Sequence, residues 1–258
     1  MLHVKEPNRV LFRKKRSMSL SKNEIKVIQS LQRKKGRIQH RMFFAEGIKV
    51  VQELIASSFE LSSLYVTKEC QDCFDSEQHT LITEGALKKI SALKTPSGVL
   101  AVFRIADVQE LQLDGLVLAL DNINDPGNLG TIIRLCDWFG VQQLLCSKDT
   151  VDCYNSKVVQ ATMGSLSRVQ INYVNLKEVL EASPSPILVA DLDGENLYQT
   201  SLPEKAVLVL GNESNGISAE LKGLKDRLLT IPRFGSDTES LNVATAAAVI
   251  LSEFRRNQ

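Results

Sequence analysis

Four short runs in the second half of the chain are apolar without alternation: residues 116–120, 143–146, 187–190 and 206–210. A strand with one wet face alternates polar and apolar residues, whereas a strand covered on both faces does not. Helical stretches separate these runs. The pattern calls for a parallel sheet between two layers of helices, an α/β fold. At 258 residues the chain is long enough for such a domain and a second, smaller one.

The first half has a different texture. Leu20, Ile25, Ile28 and Leu31 fall on one side of a short amphipathic helix over 19–33. The run Arg33-Lys34-Lys35-Gly36-Arg37 then breaks that pattern. Phe43-Phe44-Ala45 reads as a strand, and Ile48, Val51, Leu54 and Ile55 form a helical stripe after Gly47. Residues 61–66, with Leu64 and Val66 inward, then 81–82 and 99–103, are further strand candidates. These elements make a small alternating α/β unit that ends near Arg104. The expected division is a flexible basic arm over 1–17, a small domain over 18–104, a linker over 105–114 and the large α/β domain over 115–258.

Charge separates the two ends of the chain. Between Met1 and Lys49 there are 14 Lys/Arg and 3 Asp/Glu, while the remainder carries 17 and 27. Clustered cations neutralise phosphates, so the basic end is a candidate nucleic-acid footprint, or else a solvated helix face with a tail. No apolar run approaches the ~20 residues of a membrane helix. The N-terminus has no apolar stretch of signal-peptide type, and the expected location is the cytoplasm. Cys70 and Cys73 form a lone C-x-x-C with no second pair, so ordinary thiols are expected and no metal is assigned.

Three segments carry chemistry. In the first, Asp121 to Arg134, a buried strand runs into Asp125-Pro126-Gly127-Asn128 and then a helix with Leu129, Ile132, Ile133 and Cys136 on one stripe. At ~100° per residue, Arg134 lies well away from that stripe and faces solvent or a site. Asn128 is either a site residue or the helix cap. In the second, the strand ending at Leu210 meets Gly211-Asn212-Glu213-Ser214-Asn215-Gly216, a turn in which Gly211 admits a ligand to the backbone or simply lets the chain reverse. The third runs Ile231-Pro232-Arg233-Phe234-Gly235, then Glu239-Ser240-Leu241-Asn242-Val243, into a helix apolar on every side and so expected to be buried. Ser240 could serve merely as its cap. Turns at the carboxyl ends of parallel strands are where open α/β sheets hold ligands.

Taken together, and in this order, the segments resemble the three signature motifs of the SpoU (TrmH-like) RNA 2′-O-methyltransferases: N-x-x-D-P-x-N-x-G-x-x-x-R, G-x-E-x-x-G and I-P-x-G followed by E-S-L-N-V-A. Arg41 to Gly47 and Thr95 to Val99 resemble, more loosely, parts of that family's ribosomal-protein-like RNA-binding domain. The sequence departs modestly at Asn212 and in the turn at Arg233 and Phe234.

The resemblance implies a SPOUT-type domain whose C-terminal segment threads a trefoil knot. It also implies a bent S-adenosylmethionine held by Leu210, Gly211, Ile231 and Leu241. Asn128, Arg134, Glu213, Ser240 and Asn242 form the implied catalytic set. The implied working form is a homodimer with the active site at the subunit interface. The implied substrate is structured RNA, ribosomal more than transfer RNA, with no membrane or DNA partner. On the basic unit, Lys34, Lys35, Arg37 and Arg41 are the candidate RNA contacts. Two rivals stand beside this reading. One is a non-catalytic RNA-binding assembly factor, against which the intact polar set argues. The other is a nucleotide-dependent enzyme of small molecules, against which the missing G-x-G-x-x-G argues.

Overall fold

The structure is a computed structural model that describes residues 20–75, 77, 79–212, 215–235 and 239–256; the expected basic arm lies outside these, as does Glu213. The first elements are α1 (Lys22–Ser30), α2 (Lys34–His40), β1 (Met42–Glu46), α3 (Ile48–Ile55), β2 (Leu61–Val66), β3 (Thr80–Leu81), α4 (Glu84–Ile90) and β4 (Val99–Arg104). There follow β5 (Leu116–Leu120), α5 (Pro126–Trp138), β6 (Gln143–Ser147), α6 (Ser156–Thr162), β7 (Gln170–Val174) and α7 (Leu176–Glu181). The last are β8 (Ile187–Asn196), β9 (Ala206–Leu210), α8 (Ala219–Lys222), β10 (Arg227–Thr230) and α9 (Val243–Arg255).

The chain divides into two compact units. The first holds residues 1–107 together with 154–167. Its sheet runs β1-β4-β2-β3, with β1 and β2 antiparallel to β4 and β3 parallel to β2. Every residue of β1 is buried, and the packing explains why it does not alternate. Met42 and Phe44 join Val27, Ile28, Leu31, Leu87 and Ile90 in one apolar cluster. On the other face, Phe43 meets Tyr154 with ring centroids 4.8 Å apart. Tyr154 begins the stretch that carries α6, which sequence patterning assigned to the larger domain; here it covers β1.

The basic run over 33–37 is not a break in structure but most of α2. Gly36 makes the close approach possible, since a Cβ there would sit 2.1 Å from the Ser30 carbonyl oxygen. Arg37 follows it inward. The Arg37 side chain is buried, and its Nη1 donates to the Leu31 carbonyl at 2.8 Å. α1 itself starts on a capping box, with Ser21 and Glu24 each accepting from the other's backbone N–H.

The second unit, residues 108–153 and 168–258, is the expected parallel sheet, in the order β10-β8-β9-β5-β6-β7. Each neighbouring pair is parallel. β5 and β9 are buried at all positions, as their unbroken apolarity requires. Val117, Val189, Val207 and Val209 pack with Leu176, Leu180, Ile217 and Leu221 on one side. α5 and α9 pack on each other, and Arg255 Nε donates to the Phe139 carbonyl at 2.8 Å to fasten their ends. The expectation of all-round burial for α9 does not hold. Val243, Ala244, Ala247, Ile250, Leu251 and Phe254 are buried, but Thr245 and Ser252 are exposed and Ala248 and Val249 only half covered. Its small apolar residues line a partly open face.

Candidate functional site

The sheet order places the site. The chain leaves β5 toward β6 on one side and leaves its neighbour β9 toward β10 on the other, so the crossovers diverge between β5 and β9, where a crevice opens at their carboxyl ends. Three loops meet around it, those after β5, β9 and β10.

In the first loop, Asn122 takes a left-handed backbone, φ 58°, which an asparagine tolerates better than most residues. Its N–H donates to Ser147 Oγ at 2.9 Å, and the Ile123 N–H donates to Thr150 Oγ1 at 3.3 Å. Ser147 and Thr150 hydroxyls lie 3.0 Å apart, and Thr150 also donates to the Leu120 carbonyl. The loop is thus pegged to the neighbouring strand. α5 then starts with Pro126 in its first turn, and its cap is Asp125, whose Oδ1 accepts from the Asn128 N–H at 2.8 Å. Asn128 is therefore not the cap, and its side chain is released for other work.

That side chain meets the third loop. Asn242, not Ser240, caps α9, with Oδ1 accepting from the N–H groups of Ala244 and Thr245. Its Nδ2 donates to Asn128 Oδ1 at 3.0 Å across 114 residues of sequence. Two residues named from separate motifs are thus in direct contact. Asn242 is exposed rather than buried, so its capping bonds hold it in place while one side remains open.

The second loop is tied to the first. Asn212 Nδ2 donates to the Asn122 carbonyl at 2.9 Å, and Asp121 Oδ2 accepts from the Ser218 N–H at 2.9 Å. Asn212 and Gly216 exchange backbone hydrogen bonds that close the turn. Neither Asp121 nor Asn212 was named from sequence as a site residue; Asn212 stood out only as a departure from the family pattern. The polar residue just past a buried strand was the available signal.

Between these loops lies a cavity of about 480 Å³. Leu210, Gly211, Ile231 and Leu241, the four residues expected to hold the cofactor, all line it, as does Ser240. Gly211 cannot be replaced without filling it or displacing its wall. A Cβ there would meet the Gly216 carbonyl carbon at 2.4 Å and Ile217 Cγ1 at 2.5 Å. A cavity of this size, walled by backbone and aliphatic groups with a few polar ends, fits a nucleoside-sized ligand. Arg134 is exposed on α5 and does not line the cavity. It shares an outward stripe with Thr131 and Trp138, and the Trp138 side chain is 84% exposed. Cys136 and Cys146 are buried, which pushes both thiols up and leaves them unreactive.

Of the RNA candidates, Lys34 and Lys35 are exposed in the first turn of α2. Arg41 is exposed and pairs with Asp107 at 2.5 Å, a surface pair of small worth. Arg37 is a correction. It is 2% exposed and committed to the Leu31 carbonyl, so it braces α1 against α2 and has no path to a phosphate.

Residues 115–252 match the family model of the SpoU rRNA methylase family, and residues 22–101 match that of the MRM3-like substrate binding domain. The chain is 30% identical over 251 residues to the 23S rRNA (guanosine(2553)-2′-O)-methyltransferase RlmP of Bacillus subtilis, covering 92% of this chain and 98% of that one. Among solved structures, a TrmH-family protein from Porphyromonas gingivalis superposes with a TM-score of 0.86 at 38% identity, covering 93% of this chain and all of that one. An AdoMet-bound rRNA methyltransferase from Sinorhizobium meliloti superposes with a TM-score of 0.82 at 27% identity, covering 93% and 97%. The chain belongs to the SpoU rRNA methylase family.

Proposed function

We propose that this chain transfers a methyl group from S-adenosylmethionine to a ribose 2′-hydroxyl of ribosomal RNA. The observation that carries the reading is the convergence of Leu210, Gly211, Ile231, Leu241 and Ser240 on one cavity, next to loops in which Asn128 and Asn242 touch. The relatives' names, all concerned with rRNA or RNA methylation, support the substrate class.

The cofactor supplies an electrophilic methyl on a cationic sulfur. The chain's own residues must align the ribose oxygen and dispose of its proton. Asn128 and Asn242, fixed by Asp125 and by the start of α9, offer amide groups that orient a ribose or phosphate. Arg134, whose planar guanidinium offers donors and no acceptor, clamps a phosphate and stabilises negative charge growing on the ribose oxygen. In this reading Glu213 accepts the proton. The threaded C-terminal segment belongs to the same reading, supported by Ile231 after edge strand β10 and Ser240 and Leu241 before α9, which line the same cavity as Leu210 and Gly211.

The working unit in this reading is a homodimer. Arg134 is exposed and does not line the cavity of its own chain; Trp138, one turn further along α5, is exposed too, and α9, which packs on α5, keeps a half-covered face. A second copy covering that face would bring its own Arg134 to this cavity. Co-expression of Arg134→Ala with Gly211→Trp tests this. Random pairing leaves one intact site in half of the dimers, so about a quarter of wild-type turnover should return. No recovery would place Arg134 in the same chain's site.

RNA lacking this modification, incubated with labelled S-adenosylmethionine and the wild type, should yield labelled alkali-resistant 2′-O-methyl dinucleotides. Tight RNA binding without label, on naked RNA and on precursor particles alike, would favour the non-catalytic assembly factor.

A further inference from the structure

One wall of the cavity carries an ion pair that no motif singled out. Asp191 and Lys222 line it together with Leu210 and Gly211. β8 and β9 are paired in register through Val189 and Val209. Val189 and Val209 are the last pair of that ladder; Asp191 and Gly211 each follow by two residues, and both line the cavity, while β8 itself runs on to Asn196 with a break in its pairing to β10 after Val189.

The carboxylate is held with some care. Its Oδ2 pairs with Lys222 Nζ, and its Oδ1 accepts from the Asp193 N–H at 3.3 Å. Its side chain is 13% exposed while that of Lys222 is 41% exposed. Burial pushes its pKa up, but the Lys222 ammonium and the Asp193 N–H more than offset this and hold it below the usual value. An ionised carboxylate accepts about four hydrogen bonds. The contacts just named leave acceptor capacity on a group lining a cavity. A surface ion pair alone would leave the carboxylate exposed, and a purely structural one would not line a ligand cavity.

We propose that Asp191 accepts hydrogen bonds from the ribose hydroxyls of the cofactor, and that Lys222 positions its carboxylate. The inference rests on the cofactor reading above and adds a side chain to a site otherwise built from backbone. The chemistry matches. A vicinal diol offers two donors, a fixed carboxylate takes both, and an acidic residue at the end of a neighbouring strand does this work for ribose in other parallel-sheet proteins. The 2′,3′-diol lies on the cofactor itself, so this contact is separate from recognition of the RNA ribose.

Calorimetric titration of the full chain separates the possibilities. The ligands are S-adenosylhomocysteine, 5′-methylthioadenosine and 5′-methylthio-2′,3′-dideoxyadenosine. Asp191→Asn should weaken 5′-methylthioadenosine by roughly 10- to 100-fold, the range of a charge-assisted hydrogen bond, and the dideoxy nucleoside by less than twofold. Lys222→Met, which keeps the carboxylate, should show a smaller loss with the same dependence on the diol, and it preserves the test if Asp191→Asn does not fold. Equal losses for both nucleosides would overturn the proposal. So would a loss confined to S-adenosylhomocysteine, which would assign Asp191 to the α-ammonium instead. A wild type that binds none of the three would overturn the cofactor reading along with it.

Discussion

The two units carry their functional residues differently. In the parallel-sheet unit the chemistry sits on loops at strand ends, and each loop is fixed by hydrogen bonds to another: Asn212 to the Asn122 carbonyl, Ser218 to Asp121, Asn242 to Asn128. In the first unit the candidates sit on α2, a helix of seven residues, and at its C-cap, Arg41, and depend on charge rather than on a closed geometry. Motif order and family resemblance together reach the first kind of site, because the loops they name converge on one cavity. Charge counting identifies the second kind only coarsely, because it treats buried and exposed cations alike.

Four experiments bear on that contrast. The largest effect is expected at Gly211. Gly211→Val would drive a side chain into the Gly216 backbone, 2.4 Å from its first carbon, and should lower S-adenosylhomocysteine affinity by more than about 100-fold. Retained affinity would show that the turn is adjustable. Arg134→Ala comes next, with turnover lower by roughly 10²- to 10³-fold, the scale of losing one donor to a developing oxyanion, and cofactor affinity unchanged within about twofold. A matching loss of cofactor affinity would mean that Arg134 supports the cavity.

The third sets two exposed cations of α2 against a buried one. Lys34→Gln with Lys35→Gln should weaken RNA binding about tenfold and flatten its salt dependence by a slope of roughly 1.5, with unfolding unaltered. Arg37→Met should do the reverse. It deprives the buried Leu31 carbonyl of its donor, at about 1–3 kcal/mol of stability, and leaves the salt slope alone. A change of slope in Arg37→Met would return that residue to the interface.

The smallest effect concerns Glu46, buried in the first unit, where Ala92 N–H and Ser91 Oγ donate to it. Burial raises its pKa against the lowering effect of those two bonds. A carboxyl raised on folding favours the native state while protonated, below its unfolded value near 4.5. That contribution fades as pH rises through the raised value. Comparing denaturant midpoints of wild type and Glu46→Gln between pH 4 and 7 should show the wild type losing ground to the variant as pH rises. Parallel curves would mean that Glu46 titrates alike in both states.

Much was legible before any coordinates. The non-alternating runs at 116–120 and 206–210 became the buried neighbours β5 and β9, and the outward placement of Arg134 follows from helical periodicity. Other features were not. The run at 33–37 read as a break because its charges hid a Gly36 packed on the Ser30 carbonyl and an Arg37 turned inward. The cap of α5 could have been Asp125 or Asn128, since both suit the position and only the backbone path selects between them.

The sequence by itself determined the class of fold and the order of the three loops, which follow from local pattern: burial on two faces, turn chemistry, caps. The residues that gather at the cavity came from the resemblance of its motifs to the family. Only the tertiary structure decided which groups meet. The pairing of Asn128 with Asn242, the return of α6 onto β1, the burial of Arg37 and the meeting of Asp191 with Gly211 at one cavity join residues far apart in the chain. No local preference encodes such contacts. They arise because parallel strands bring their carboxyl ends to one edge and because buried polar groups must find partners wherever the fold provides them.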